Sequence, residues 1–98
     1  MHISSEEFIS SIKNDSPPND ISLLLEALWY DAKGDWESAH EIAQEIENCS
    51  GALLHAYLHR KEGDQSNARY WYSHAGSKPF KGSLEEEWQS LLQRFISI

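Results

Sequence analysis

Two stretches of this sequence, Leu24-Leu25-Glu26-Ala27 and Leu53-Leu54-His55-Ala56, decide the predicted fold because they are near copies 29 residues apart. Each is followed by a glycine and an aspartate, Gly34-Asp35 after the first copy and Gly63-Asp64 after the second. Repetition at a period of roughly 20 to 50 residues is typical of stacked supersecondary units. The sequence therefore predicts two consecutive copies of one helical unit.

Each predicted unit is a helix, a Gly-Asp turn and a second helix, with unit bounds at about residues 21–48 and 50–76. Glycine takes a positive φ at little steric cost, and aspartate accepts hydrogen bonds from the free amides that begin a helix. Small side chains repeat at the same interval and let paired helices approach closely. These are Ala27 and Ala39 in the first unit, and Ala56 and Ala68 in the second.

Capping boxes predict a further helix on each side of the repeats. Ser4 with Glu7, and Ser83 with Glu86, have the spacing in which a serine and a glutamate satisfy each other's backbone amides. The last helix has apolar residues at helical spacing, ending near Ile96. The fold class is therefore all-α, a single domain over residues 1–98 with about six antiparallel helices, formed by two hairpins and an extra helix at each end.

The remaining boundaries follow from caps and turns. Asp20 is expected to cap a second helix from Ile21 to about Lys33, and a fourth helix is expected from about Gly51 to Glu62. The segment from Asn48 to Gly51 is expected to connect the two units.

Composition excludes several classes of function. The chain of 98 residues is 40% hydrophobic, which argues against disorder, and its net charge of −8 argues against nucleic-acid binding. No apolar run approaches the ~18 residues of a membrane span, and the first residues lack the pattern of a signal peptide. Cys49 is the only cysteine, so the chain has no internal disulfide, and it is expected to be an ordinary thiol. A cytoplasmic location with no membrane partner is expected.

The charge is distributed unevenly along the chain. Residues 1–54 have a net charge of −9, residues 55–81 of +3 and residues 82–98 of −2. The second repeat is therefore a basic segment in an acidic protein. One interpretation is that neighbouring helices complement each other in charge, and the other is that the basic segment binds a partner.

The repeats resemble tetratricopeptide repeats over roughly Leu23 to Phe80. The matching residues of the first unit are Ala27, Tyr30, Gly34-Asp35-Trp36 and Ala39. Those of the second are Ala56, Gly63-Asp64, Ala68, Tyr72, Ala75 and Pro79. The period of 29 departs from the roughly 34 residues of that family. The segment from His55 to Asp64 is also similar to one in a group of small uncharacterised bacterial proteins, which implies a shared fold and surface but no activity.

The tetratricopeptide resemblance implies that the first helix of each unit lines a concave groove. Four polar residues would lie there: Asp31 from the first unit, and Tyr57, Arg60 and Lys61 from the second. The two cations would receive a carboxylate, such as an acidic peptide segment or a peptide C-terminus. Alternatively, the helix over Ser4–Lys13 fills this groove.

Consecutive aromatic residues form a second candidate binding surface. Tyr70, Trp71 and Tyr72 lie on one predicted helix, where successive side chains turn by about 100°, so the three rings cannot all enter one core. The resemblance implies that Tyr72 packs inward, which leaves Tyr70 and Trp71 either buried under a neighbouring segment or exposed to a partner.

Two histidines have the spacing of metal ligands. His55 and His59 are four residues apart and share a helical face. A third ligand would have to come from Asp31, Asp35 or His40. The alternative is that both histidines bond to backbone or acidic neighbours, and no cofactor is expected.

No sequence motif for catalysis is present: there is no glycine-rich phosphate loop, no Gly-x-Ser-x-Gly segment and no catalytic residue to assign. The leading hypothesis is a non-enzymatic module that binds a protein or peptide. One alternative is a metal- or small-molecule-binding protein, or a small enzyme, that uses His55, His59 and Asp31. Another is a homodimer whose exposed aromatic residues meet across a two-fold axis.

Overall fold

The computed structural model describes residues 3–98 and is all-helical over that range, with six helices and no strand. The helices are α1 (Ser5–Ser11), α2 (Leu23–Ala32), α3 (Trp36–Ala43), α4 (Cys49–Glu62), α5 (Gln65–His74) and α6 (Leu84–Ile96). The predicted all-α fold is confirmed for this part of the chain. Within it, no helix has both the length and the apolar character needed to cross a bilayer.

The two Gly-Asp turns have nearly the same geometry. Gly34 and Gly63 have φ values of +85° and +91°, which a side chain would disfavour. Asp35 and Asp64 follow as N-caps, and each side chain accepts a hydrogen bond of 3.1 Å from the backbone amide three residues further on. The turns of the repeated units are therefore confirmed, as are the capping boxes at Ser4 and Ser83.

The start of α2 differs from the prediction. Asp20 has φ of +60° and is not the cap, because Ser22 takes that place and accepts a 3.2 Å hydrogen bond from the amide of Leu25. The helix begins at Leu23 rather than Ile21. Serine and aspartate are both strong helix N-caps, so the sequence alone did not show which of the two would cap α2.

The start of α4 also differs, because Asn48 caps the helix and accepts a 2.8 Å hydrogen bond from the amide of Gly51. The expected connection is thus the cap and first turn of the helix. Gly51 is required there by a close approach: a Cβ on it would lie 2.3 Å from the carbonyl oxygen of Ile46. In the sequence, Gly51 is interpreted as part of a connection between helices. In the structure it lies inside α4, where the absence of a side chain permits tight packing.

The helices pack around α4. α2 pairs with α3 and α4 with α5 as the two hairpins, while α3 also packs on α4. α6 lies across α2 and α4 and also contacts α1. The largest fully buried side chains are Trp29, Phe8, Leu28, Leu54, Leu58 and Leu92. The face formed by the first helices of both hairpins is therefore covered by α6, with α1 at its edge.

Candidate functional site

Three of the predicted binding residues form one polar network between α2 and α4. Asp31 is only 2% exposed, and its carboxylate accepts a hydrogen bond of 2.7 Å from the hydroxyl of Tyr57. The ammonium group of Lys61 donates to the other carboxylate oxygen at 2.9 Å. Burial, and then the bond to Asp31, raise the pKa of Tyr57 above its usual value. The network therefore joins the two hairpins through polar groups that satisfy each other.

Arg60 lies one helical position from Lys61 and is paired with a different helix. Its guanidinium donates to Glu87 of α6 at 2.8 Å and to the carbonyl oxygen of Gly82. The other carboxylate oxygen of Glu87 accepts from the hydroxyl of Tyr72 on α5. Glu87 is 2% exposed, so this ion pair connects α4, α5 and α6 in the interior.

Sequence reasoning did not single out Glu87, although one signal was present. Glu87 lies four residues before Leu91, on the stripe of α6 that faces the core. A carboxylate on an apolar stripe needs a buried partner, because an unpaired buried charge is costly. Arg60 is the cation that supplies this pairing.

A groove of about 840 Å³ runs between α1, α2, α4 and α6, and we call it the α1–α6 groove. Its apolar lining comes from Ile9, Ile12, Leu84 and Trp88, together with Ala32. Its polar lining comes from Asp31, Tyr57, Lys61, Glu85, Glu86 and Gln89. Ile9 is 43% exposed, so part of the apolar wall is open to solvent.

Hydrogen bonds to the end of α1 fix one wall of this groove. The ammonium group of Lys33 donates to the carbonyl oxygens of Ile12 at 2.8 Å and Asn14 at 2.9 Å. The indole N–H of Trp29 donates to the carbonyl oxygen of Ser11 at 3.3 Å. These bonds tie the segment from Ser11 to Asn14 to α2 and its C-cap Lys33, so the end of α1 is held against α2.

The opposite face of α4 carries a cluster of three histidines. His55 and His59 on α4 meet His40 on α3, with ring centroids 5.3 Å apart for His40 and His55 and 5.2 Å for His40 and His59. Of the three candidates for a third ligand, the structure places His40 beside the pair, whereas Asp31 lies in the Tyr57–Lys61 network.

Two tryptophans hold the rings of this histidine cluster. Trp71 on α5 stacks on His55 with centroids 4.1 Å apart and an interplanar angle of 12°. Trp36 on α3 stacks on His40 at 4.7 Å and 9°, and its indole N–H donates to the carbonyl oxygen of Leu58 at 2.8 Å. The rings therefore pack between aromatic walls from two helices.

The remaining candidate residues divide between core and surface. Tyr72 is buried with Ala56 and Ala68, as the resemblance implied, and Trp71 is half-buried against His55. Tyr70 is 59% exposed and stacks on His74 at 6.0 Å. The three consecutive rings thus point in different directions, and only Tyr70 among them is an exposed aromatic residue.

Cys49 is exposed in the first turn of α4.

Comparisons with protein-family models, with curated proteins and with solved structures found no match to this chain. The resemblance to tetratricopeptide repeats therefore stays a prediction.

Proposed function

We propose that this chain is a non-enzymatic helical-repeat module that binds a basic, amphipathic helical segment of a protein in the α1–α6 groove. The observation that carries the proposal is the apolar wall of that groove, where Ile9 is 43% exposed beside Ile12, Leu84 and Trp88. Large concave sites with apolar linings and a few polar groups are typical binding sites.

Charge at the groove favours a basic partner. Among the described residues that line the groove, Lys61 is the one lysine or arginine, and it is already paired with Asp31 at 2.9 Å. Glu85 and Glu86 are exposed at the rim, and no other lysine or arginine of residues 3–98 lines the groove to balance them. Hydrogen bonds from Ser83 lower the pKa of the Glu86 carboxyl, which keeps it ionised at neutral pH. This charge pattern replaces the acidic partner suggested by Arg60 and Lys61, because both cations have partners within the chain.

A helix is the proposed form of the bound segment because the walls of the groove are themselves helices. An amphipathic helix places apolar residues at intervals of three and four along one face, which suits a groove of this kind. Lysine and arginine on the flanks of that face would meet Glu85 and Glu86. We also propose that the fold is tetratricopeptide-like. A cytoplasmic, reducing location is proposed as well, and the exposed thiol of Cys49 supports it.

Selection from a random library of 16-residue peptides displayed on phage tests this proposal. The wild-type protein is expected to enrich peptides with apolar residues at helical spacing and flanking lysine or arginine. Ile9→Asp should abolish the enrichment because it puts a charge on the exposed apolar wall. Glu85→Lys should lower the affinity for the selected peptides by roughly tenfold at low salt, because charged residues at the rim of an interface contribute to specificity and association rate.

The matched control is Glu37→Lys, which makes the same charge change on an exposed position of α3 outside the groove lining. It should leave peptide affinity within about twofold of wild type. Peptides that bind wild type and Ile9→Asp equally, or enrichment of acidic peptides, would contradict the proposal. A dimer by light scattering that dissociates in Ile9→Asp would show instead that a second copy occupies the groove.

A further inference from the structure

The histidine cluster on the other face of α4 does not belong to the α1–α6 groove. One ligand atom from each of His40, His55 and His59 can be chosen so that all three lie within 4.8 Å of one another. His55 and His59 are one turn apart on α4, and His40 reaches them from α3. Three imidazoles from two packed helices therefore converge on one point.

The arrangement is close to what a metal ion requires. Zinc binds imidazole nitrogen at about 2.0–2.1 Å in a tetrahedron, which sets the nitrogens about 3.3 Å apart. The three ligand atoms lie within 4.8 Å of one another, so binding an ion would draw the rings closer together. Trp71 and Trp36 stack on two of the rings and restrict the other orientations that those rings could take.

One of the three rings is already held by a carboxylate. The Nδ1 atom of His59 lies 2.7 Å from a carboxylate oxygen of Glu62. This contact fixes the ring and leaves Nε2 free to face a ligand. Metal-binding histidines commonly bond to a carboxylate through their second nitrogen in this way.

His55 provides an independent observation that points to a ligand. Its Nδ1 atom is buried, and no hydrogen-bond partner reaches it from residues 3–98. Buried polar atoms in folded proteins are nearly always satisfied, so an orphaned one calls for a partner.

We propose that His40, His55 and His59 bind one divalent transition-metal ion of the zinc type, with Glu62 orienting His59. Neutral imidazoles favour Zn²⁺, Co²⁺, Ni²⁺ and Cu²⁺ over Mg²⁺ and Ca²⁺, which prefer oxygen. The cluster lines an open depression with Gln44, Asn67 and Trp71, so a fourth position faces solvent. Three protein ligands with one open position are an arrangement that zinc adopts in proteins.

The neighbouring set of His59, Glu62 and Asp64 is the other group with metal-ligand proximity in the described chain. Glu62 is exposed, and Asp64 is already the cap of α5. Exposed carboxylates of this kind are common without a metal, so the three histidines carry the proposal.

Calorimetric titration of the protein without a polyhistidine tag tests this site at pH 7.5. Zn²⁺ is expected to bind at one ion per chain, and Co²⁺ should produce the visible absorption of a low-coordinate site. Mg²⁺ should give no heat. His40→Gln should weaken Zn²⁺ binding at least tenfold, and Glu62→Gln should weaken it about tenfold because the carboxylate positions His59. His40 is half-buried and Glu62 exposed, so both variants should fold, which circular dichroism checks.

Two control variants test whether other side chains of the protein bind the metal instead. The double variant His2→Ala/His74→Ala removes the remaining two histidines, and Cys49→Ser removes the thiol. Both should bind Zn²⁺ as wild type does. Absence of binding by wild type, equal binding by His40→Gln, or loss of binding in Cys49→Ser would overturn the proposal. None of these results depends on whether the α1–α6 groove binds a peptide.

Discussion

The two faces of α4 use polar residues in different ways. On the face toward α2, Tyr57 and Lys61 bond to Asp31 at 2.7 Å and 2.9 Å. On the face toward α3 and α5, His55 and His59 meet aromatic rings, and the buried Nδ1 of His55 has no partner in the described chain. The polar groups of the first face form hydrogen bonds with each other, which is typical of a structural role. The second leaves a buried polar atom available to a ligand.

The difference shows that residue type alone does not separate a binding site from a structural contact. Arg60 and Lys61 are the kind of residues that bind anions, yet their charges are neutralised by Glu87 and Asp31. Buried ion pairs of this kind contribute little net stability, but losing one partner leaves the other uncompensated. We therefore expect substitutions in the Asp31 and Glu87 networks to change stability, and substitutions in the histidine cluster to change metal binding.

The largest expected effect is the loss of Glu87. Glu87→Ala should lower the free energy of unfolding by about 3 kcal/mol, because it leaves Arg60 and the buried hydroxyl of Tyr72 without their partner. Urea unfolding followed by circular dichroism measures the change. His40→Gln, in the histidine cluster, should lower the free energy of unfolding by less than about 1 kcal/mol. Equal losses for the two variants would contradict the division between the structural polar networks and the histidine cluster.

A smaller effect is expected in alkali. Burial raises the pKa of Tyr57 and of Tyr72, so both remain protonated in the folded chain above pH 10, whereas unfolded tyrosines ionise near there. The unfolded state then binds fewer protons, and stability falls as the pH rises above about 10. Urea midpoints measured between pH 8 and pH 11 should show this decline.

Tyr57→Phe is the control for the alkaline effect. At neutral pH this variant should have a free energy of unfolding about 1 kcal/mol lower than wild type, because the hydrogen bond to Asp31 is missing. Above pH 10 its stability should fall less steeply than that of wild type. An identical decline would mean that the Tyr57 hydroxyl is not shielded in the way the structure indicates.

The sequence was sufficient to predict the elements that depend on local chemistry. The Gly-Asp turns and the Ser4 and Ser83 capping boxes involve residues within four positions of each other, and all are confirmed. The starts of α2 and α4 were misplaced because neighbouring caps of similar strength compete, and because Gly51 serves close packing rather than a break.

The candidate sites depended on contacts that the sequence does not determine. His40 was one of three possible partners for His55 and His59, and the packing of α3 on α4 brings it to them. Glu87 pairs with Arg60 across 27 residues, and the position of α6 over α2 and α4 makes that contact. A period of 29 residues indicates that helices repeat, but it does not give the rotation of one helix against the next.

Thermal unfolding with and without Zn²⁺, in wild type, Asp31→Asn and His40→Gln, tests most directly whether the two faces have separate roles. At one hundred times its dissociation constant, Zn²⁺ should stabilise wild type by about 2.7 kcal/mol, raising the midpoint by roughly 10 °C or more. Asp31→Asn should have a lower midpoint but keep the full shift. His40→Gln should keep a midpoint near that of wild type and lose the shift. A zinc shift that survives in His40→Gln, or that disappears in Asp31→Asn while the variant remains folded, would contradict the account.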